Sequence, residues 1–215
     1  MSDPKLMKSA QTKAQILRAA QKVLLESGFS GLSTRRVAAV LGTPMSQIQY
    51  HFGSKEGMIL AMFEDMNARL IDRQKALFED PDLSISQQWD IACNFLDDDI
   101  SSGYVGIVQE LIAAGWSNPK IGAAVSEGLD AWQSLLTQVA QRSERTLGPF
   151  APFSAEEIAT LVAVAYLGAE AQILLGRERK DMPIRKALRR VGDAIRALET
   201  AKGAQKCEPS FQIPR

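Results

Sequence analysis

Apolar residues recur along this chain at spacings of three and four, with no convincing stretch of the alternation that marks a half-buried strand. The pattern predicts helices joined by turns throughout. Ile16, Ala20, Val23 and Leu24 form one face of a helix over residues 12–26, which Ser27 and Gly28 end, and Phe29 is placed to pack beneath the next two helices. Residues 1–8 read as a disordered basic arm. Val37, Val40 and Leu41 give the next, short helix its buried face, and Gly42 can take the positive φ of a helix end. Thr43 and Pro44 then suit the N-cap and first position of a second short helix. In it Met45, Ile48 and Phe52 lie on one side, while Ser46, Gln47, Gln49 and Tyr50 look outward. After Gly53, Ser54 can cap a long helix whose buried stripe is Ile59, Met62, Phe63, Met66 and Leu70.

Further helices are predicted around residues 87–97, 105–116 and 118–141, the first two separated by Ser101, Ser102 and Gly103. Residues 148–152 are the clearest loop. Ser154 and Glu157 have the spacing of a capping box, which starts a helix running to about residue 175. Pro183 fits the first turn of a last helix ending near residue 203. The expected fold class is all-α.

Two short helices joined by a tight turn, the second with a hydrogen-bonding outer face, are the usual means of placing side chains in the DNA major groove. The residues of this segment also carry a family resemblance. The run YHFGSKE, residues 50–56, resembles the end of the recognition helix and the opening of the next helix in the TetR family of transcriptional regulators. The similarity extends back through Leu41, Gly42, Val37 and Thr34, and more weakly through Gly28 and Phe29, so that it covers about the first quarter of the chain. Thr43, Pro44, Ser46 and Gln49 depart from the residues common in the family.

Charge supports the same picture. The chain of 215 residues has no net formal charge, yet residues 1–58 hold eight basic and three acidic side chains, a net of +5. The remaining 17 basic and 22 acidic residues give −5. A cationic end on an anionic body suits attraction of one domain to phosphates. Gln47 and Gln49 can each pair with an adenine edge, Ser46 is less selective, and Tyr50 can stack or donate to a phosphate. Arg35, Arg36 and Lys55 suit phosphates beside the groove, aided by helix N-terminal amides at Thr34 and Lys55. The resemblance implies backbone contacts for Thr34, Tyr50, His51 and Lys55; Thr43 completes the candidate DNA-binding set.

The resemblance also implies a three-helix DNA-binding domain, residues 1–55, and a larger helical ligand-binding and dimerisation domain, residues 56–203, with 204–215 a flexible tail. One short recognition helix covers few base pairs, so a homodimer on a palindromic operator is expected. The helix from Ser154 is rich in small residues (Ala159, Ala163, Ala165, Gly168, Ala169, Ala171) and, with the last helix, is the candidate dimer contact. A mostly apolar cavity for an unknown small-molecule effector is implied, and Trp89, Phe95, Tyr104, Trp116, Trp132 and Tyr166 could line it, with Gln109 or Glu110 as a polar anchor.

The composition, 46% hydrophobic and 23% charged, fits a globular chain of one or two domains. No apolar run is expected to cross a membrane and the N-terminus is not signal-like, so the expected location is cytoplasmic. Cys93 and Cys207 suggest no disulfide framework. His51 is the only histidine, which leaves no His-based nucleophile or multi-His metal site. Asp97, Asp98 and Asp99 are successive, do not face one another on a helix, and read as a solvated helix end. No catalytic set, metal or cofactor is expected. The functional expectation is a ligand-responsive regulator, most simply a repressor; the alternative is a helical small-molecule-binding or protein-interaction module that no longer engages DNA.

Overall fold

The structure, a computed structural model, describes residues 4–206. Its helices are α1 (Pro4–Gly31), α2 (Thr34–Leu41), α3 (Met45–Phe52), α4 (Lys55–Phe78), α5 (Ile85–Ser101), α6 (Tyr104–Gly115), α7 (Pro119–Leu147), α8 (Ala155–Leu174) and α9 (Ile184–Lys206). Among the described residues the β structure is a single bridge between Arg179 and Met182. The all-α expectation holds.

Helix boundaries follow local chemistry. α1 starts at Pro4, so residues 4–8 are helical rather than part of a disordered arm; proline is well tolerated in the first turn, where its missing N–H costs nothing. The helix kinks at Gly28, which has φ 66°. Ser154 caps α8 as its spacing predicts: its Oγ accepts from Glu157 N–H, and the Glu157 carboxylate accepts from Ser154 N–H. α7 continues past residue 141 to Leu147, because the next residue to leave the helical region is Gly148 at φ 96°. α9 runs to Lys206, which takes in the first residues of the expected tail; Cys207 and the rest of that tail lie outside the described residues.

The chain forms two compact units. The first comprises the chain up to Asp72 together with Ser101–Asp130, and the second Arg73–Ile100 together with the chain from Ala131. In the first, Ile16, Ala20 and Val23 of α1 share a core with Val37, Ile48, Met58 and Met62. Ile107 and Leu111 of α6, and Ile121 and Val125 of α7, belong to the same core. The second unit packs Leu136 and Ala140 against Ala155, Ala159 and Ala163, with a further cluster of Leu96, Tyr166 and Ile173.

Several expectations about burial are corrected. Val40 and Met45 are 45% and 54% exposed. In α2 the burial falls instead on Val37 and Ala38, and in α3 on Ile48. The carboxylates at the end of α5 are paired, not merely solvated. Asp99 accepts from the Arg73 guanidinium at 2.6 Å and Asp97 from Arg185 at 2.5 Å. Burial nonetheless pushes the Asp99 carboxyl above its usual range, with the Arg73 contacts opposing that rise. Contrary to expectation, among the described residues one helix, α8, is long and apolar enough by length and composition to cross a bilayer. Its exposed side carries Leu161 and Val164, and Leu175 follows at its C-cap.

Replacing Ser154 by Ala removes the hydroxyl half of the capping box. Urea unfolding should show a loss of about 1 kcal/mol at unchanged m-value; no loss would mean that α8 does not depend on its cap.

Candidate nucleic-acid interface

The site is built from the ends of three helices in the first unit. Ser33, extended at φ −148°, caps α2 by accepting the Arg36 N–H on its hydroxyl, and so sets Thr34, Arg35 and Arg36 in the first turn. Arg35 and Arg36 are exposed and Thr34 is half-buried. Ser33 escaped the sequence reading, although a Ser before a helix start is a usual capping signal. Gly42 ends α2 in the left-handed region, φ 66°, and its N–H returns to the Ala38 and Ala39 carbonyls.

The turn differs in detail from expectation. Pro44, not Thr43, is the capping residue of α3, and no side chain caps this helix. The Thr43 N–H donates to the Ala38 carbonyl, which draws the residue inward and buries its hydroxyl without a hydrogen-bond partner among the described residues.

Ser46, Gln49 and Tyr50 are exposed on the outer face of α3, with Tyr50 at 84%. Gln47 is half-buried and lines a groove with Thr12, Gln15, Arg18 and Lys22 of α1. The Gln49 side-chain amide donates to the Gly53 carbonyl, at the end of its own helix. His51 is half-buried, edge-on to Tyr50 with ring centroids 5.1 Å apart.

The corner into α4 holds this face in place. Ser54 Oγ accepts from the Gly57 N–H at 2.9 Å. A Cβ on Gly57 would lie 2.2 Å from the Phe52 carbonyl oxygen, so only glycine allows α4 to start this close to the end of α3. Lys55 lies over the Phe29 ring, 5.4 Å from its centroid. The neighbouring Glu56 is engaged on the other side, by Asn118 Nδ2 at 3.0 Å and Lys120 at 3.6 Å.

The structure thus brings all ten expected DNA-binding residues into one unit: Thr43 in the turn between α2 and α3, the others on α2, α3 and the start of α4. The expected ligand-lining residues are not brought together. Tyr104, Gln109 and Trp116 belong to the first unit. There Tyr104 donates its hydroxyl to Asn67 Oδ1 at 3.4 Å, Gln109 is half-buried with Glu110 exposed beside it, and Trp116 is 85% exposed. Phe95, in the second unit, packs under the Arg73 guanidinium at 4.2 Å. Tyr166 has Trp89 and Trp132 edge-on at 5.9 and 6.5 Å, and its hydroxyl is 3.6 Å from Cys93 Sγ. Burial pushes both the Cys93 thiol and the Tyr166 phenol upward, which keeps them neutral. Of the expected set, Trp89 lines an apolar cavity within the second unit.

Comparison with known proteins agrees with this geometry. Residues 16–62 match the family described as "Bacterial regulatory proteins, tetR family". The chain is 30% identical over 126 residues to the HTH-type transcriptional regulator CymR of Pseudomonas putida, which covers 57% of this chain and 58% of CymR. It is 29% identical over 84 residues to the HTH-type transcriptional repressor AcnR of Corynebacterium glutamicum, covering 35% of this chain and 45% of AcnR. The matched regions therefore span about half the length of these relatives. Among solved structures, a transcriptional regulator of Saccharomonospora viridis in complex with choline superposes with a TM-score of 0.67 at 20% identity, over 86% of this chain and 95% of that one. The segment 16–62 is thus that of the tetR family, and over about half its length the chain is similar to HTH-type regulators.

Replacing Gly57 by Ala drives a methyl group into a backbone carbonyl that cannot swing aside. The expected cost is about 1–3 kcal/mol in thermal or urea unfolding; a neutral outcome would show that the α3–α4 corner yields freely.

Proposed function

We propose that this chain is a homodimeric, ligand-responsive transcriptional regulator, most simply a repressor, that binds a palindromic operator and works in the cytoplasm. The observation that carries this reading is the exposed face of Ser46, Gln49 and Tyr50 on a short helix, flanked by Arg35, Arg36 and Lys55, inside the segment that matches the tetR family. Amide and hydroxyl groups on such a face can read base edges, and the cations can hold phosphates in register. Two such heads are needed for useful specificity, since one eight-residue helix reaches only a few base pairs.

The support for self-association is α8. Leu161, Val164, Ala165, Gly168 and Leu175 follow one another at helical spacing on its exposed side, and a Cβ on Gly168 would meet nothing within 4 Å. An apolar helix with that much uncovered surface needs a cover, and a second copy of the same helix meets it with small residues that allow close approach. For the effector, a preference of about 3 kcal/mol for the released conformation is enough to weaken operator binding about a hundredfold. The work of the molecule on this reading is binding, with no catalytic step.

Selection of duplexes from a random pool should recover a two-fold symmetric motif. Gln47→Ala should relax preference at one base position per half-site, at a cost of about 1–3 kcal/mol on the parent sequence. Lys55→Ala should weaken all sequences alike and lower the salt slope by about one per reading head. If no duplex is bound at low salt, the alternative of a helical binding module without DNA recognition takes over. Light scattering at micromolar concentration should give the mass of a dimer, and Leu161→Glu with Val164→Glu should halve it; a monomeric parent would remove the symmetry argument.

A further inference from the structure

The second unit contains a cavity of about 190 Å³ whose wall comes from α5, α7, α8 and α9, with Phe78 at the end of α4 and Phe150 in the loop before α8. Trp89, Leu136, Ala140, Phe150, Ala159 and Val162 give it an almost wholly carbon surface. Gln88 and Ser143 are the polar side chains on that wall, and both are uncharged. Gln88 already spends its amide nitrogen on the Phe78 and Asp80 carbonyls, each at 3.3 Å. The Trp89 indole N–H is likewise committed, to the Leu188 carbonyl at 2.8 Å. Among the described residues the cavity wall carries no charged side chain; within the same unit Asp90 pairs with Arg196, Asp97 with Arg185 and Arg189, and Asp99 with Arg73.

Such a wall sets strict terms for an occupant. A carboxylate or an ammonium entering it leaves water and meets no opposite charge, which is strongly unfavourable. A hydrocarbon gives up only its unfavourable hydration. Protein interiors otherwise pack with few voids larger than a water molecule, so a guest that fills this space also restores lost contacts. Size narrows the class further. An apolar cavity of about 150 Å³ engineered into another protein takes up benzene, and the present one is somewhat larger.

We infer that the effector is a small, uncharged, hydrocarbon-rich molecule about the size of an aromatic ring with a short alkyl substituent, held among Trp89, Phe150, Ala140 and Ala159. Gln88 and Ser143 can supply at most one or two hydrogen bonds to a hydroxyl or carbonyl on it. This assignment rests on the second unit being the sensor. It separates the chain from relatives that take ions, such as the structural neighbour solved with choline.

Calorimetry and thermal unfolding of the full chain test it with three sets of probes: alkylbenzenes from toluene to hexylbenzene, the matching alkylbenzoates, and choline. The alkylbenzenes should bind and raise the melting temperature, with affinity passing through a maximum as the alkyl chain outgrows the space. The benzoates should bind weaker by on the order of a hundredfold, and choline should not register. Ala140→Leu, or Val191→Phe at the more exposed rim should the first variant fail to fold, should cut alkylbenzene affinity at least about tenfold while melting stays cooperative. Benzoate or choline binding as tightly as the neutral series, no binding by any alkylbenzene, or unchanged affinity in both variants would overturn the assignment. None of these readouts uses DNA, so operator binding by the same preparation reports separately on the regulator reading.

Discussion

A helix of eight residues cannot persist alone in water, because nucleation costs more than its few hydrogen bonds return. α3 therefore exists only through what anchors it, and the proposed DNA-reading face depends on that anchoring. Ile48 is fully buried in the core of the first unit, worth about 1.5–3 kcal/mol. Phe52 is half-buried behind it, and Gly57 lets α4 begin directly against the Phe52 carbonyl. Ile48, Phe52 and the missing Cβ of Gly57 thus fix an outer face whose own residues are exposed. On the proposed reading, that division of labour leaves Ser46, Gln49 and Tyr50 free of any duty to the core.

Charge is handled differently in the two units. In the first, Glu56 is drawn toward Asn118 and Lys120, so the carboxylate next to Lys55 is already engaged. In the second, acidic and basic side chains answer one another across α5 and α9, with Asp97 between Arg185 and Arg189 and Asp90 against Arg196. Glu199 of α9 also accepts from both the hydroxyl and the N–H of Ser86, which satisfies the start of α5. In the second unit, part of the acidic excess thus fastens α5 to α9.

Some local signals in the sequence held, whereas Thr43 did not cap α3 and Gly28 kinked α1 without ending it. Gly42, the Ser54 cap and the capping box of Ser154 and Glu157 depend only on neighbours within one turn, and each is where its spacing puts it. Signals that depend on tertiary neighbours did not transfer. Periodicity makes Val40 and Met45 candidates for a buried face, yet a short helix in a corner buries a narrower stripe than that face. The aromatic residues show the same limit: Trp116 and Tyr104 follow α6, whose Ile107 and Leu111 pack with the core of the first unit. The cavity wall is mostly alanine and aliphatic side chains, which carry no mark in a sequence to tell lining from ordinary core.

α8 joins the two proposed activities of the second unit. Ile158, Ala159 and Val162 face the cavity, while Leu161, Val164, Ala165 and Gly168 form the uncovered side of the same helix. Val191 of α9 lines both the cavity and the apolar groove that Ala165, Ala169 and Gln172 share with α9. A guest that spreads the cavity wall must move the helix that carries the stripe, because close-packed helices shift as bodies and do not deform side chain by side chain. If a second copy covers that stripe, the quantity altered by the guest is the geometry of the pair. On the proposed reading, α8 would therefore carry a filled side and a paired side within the one unit.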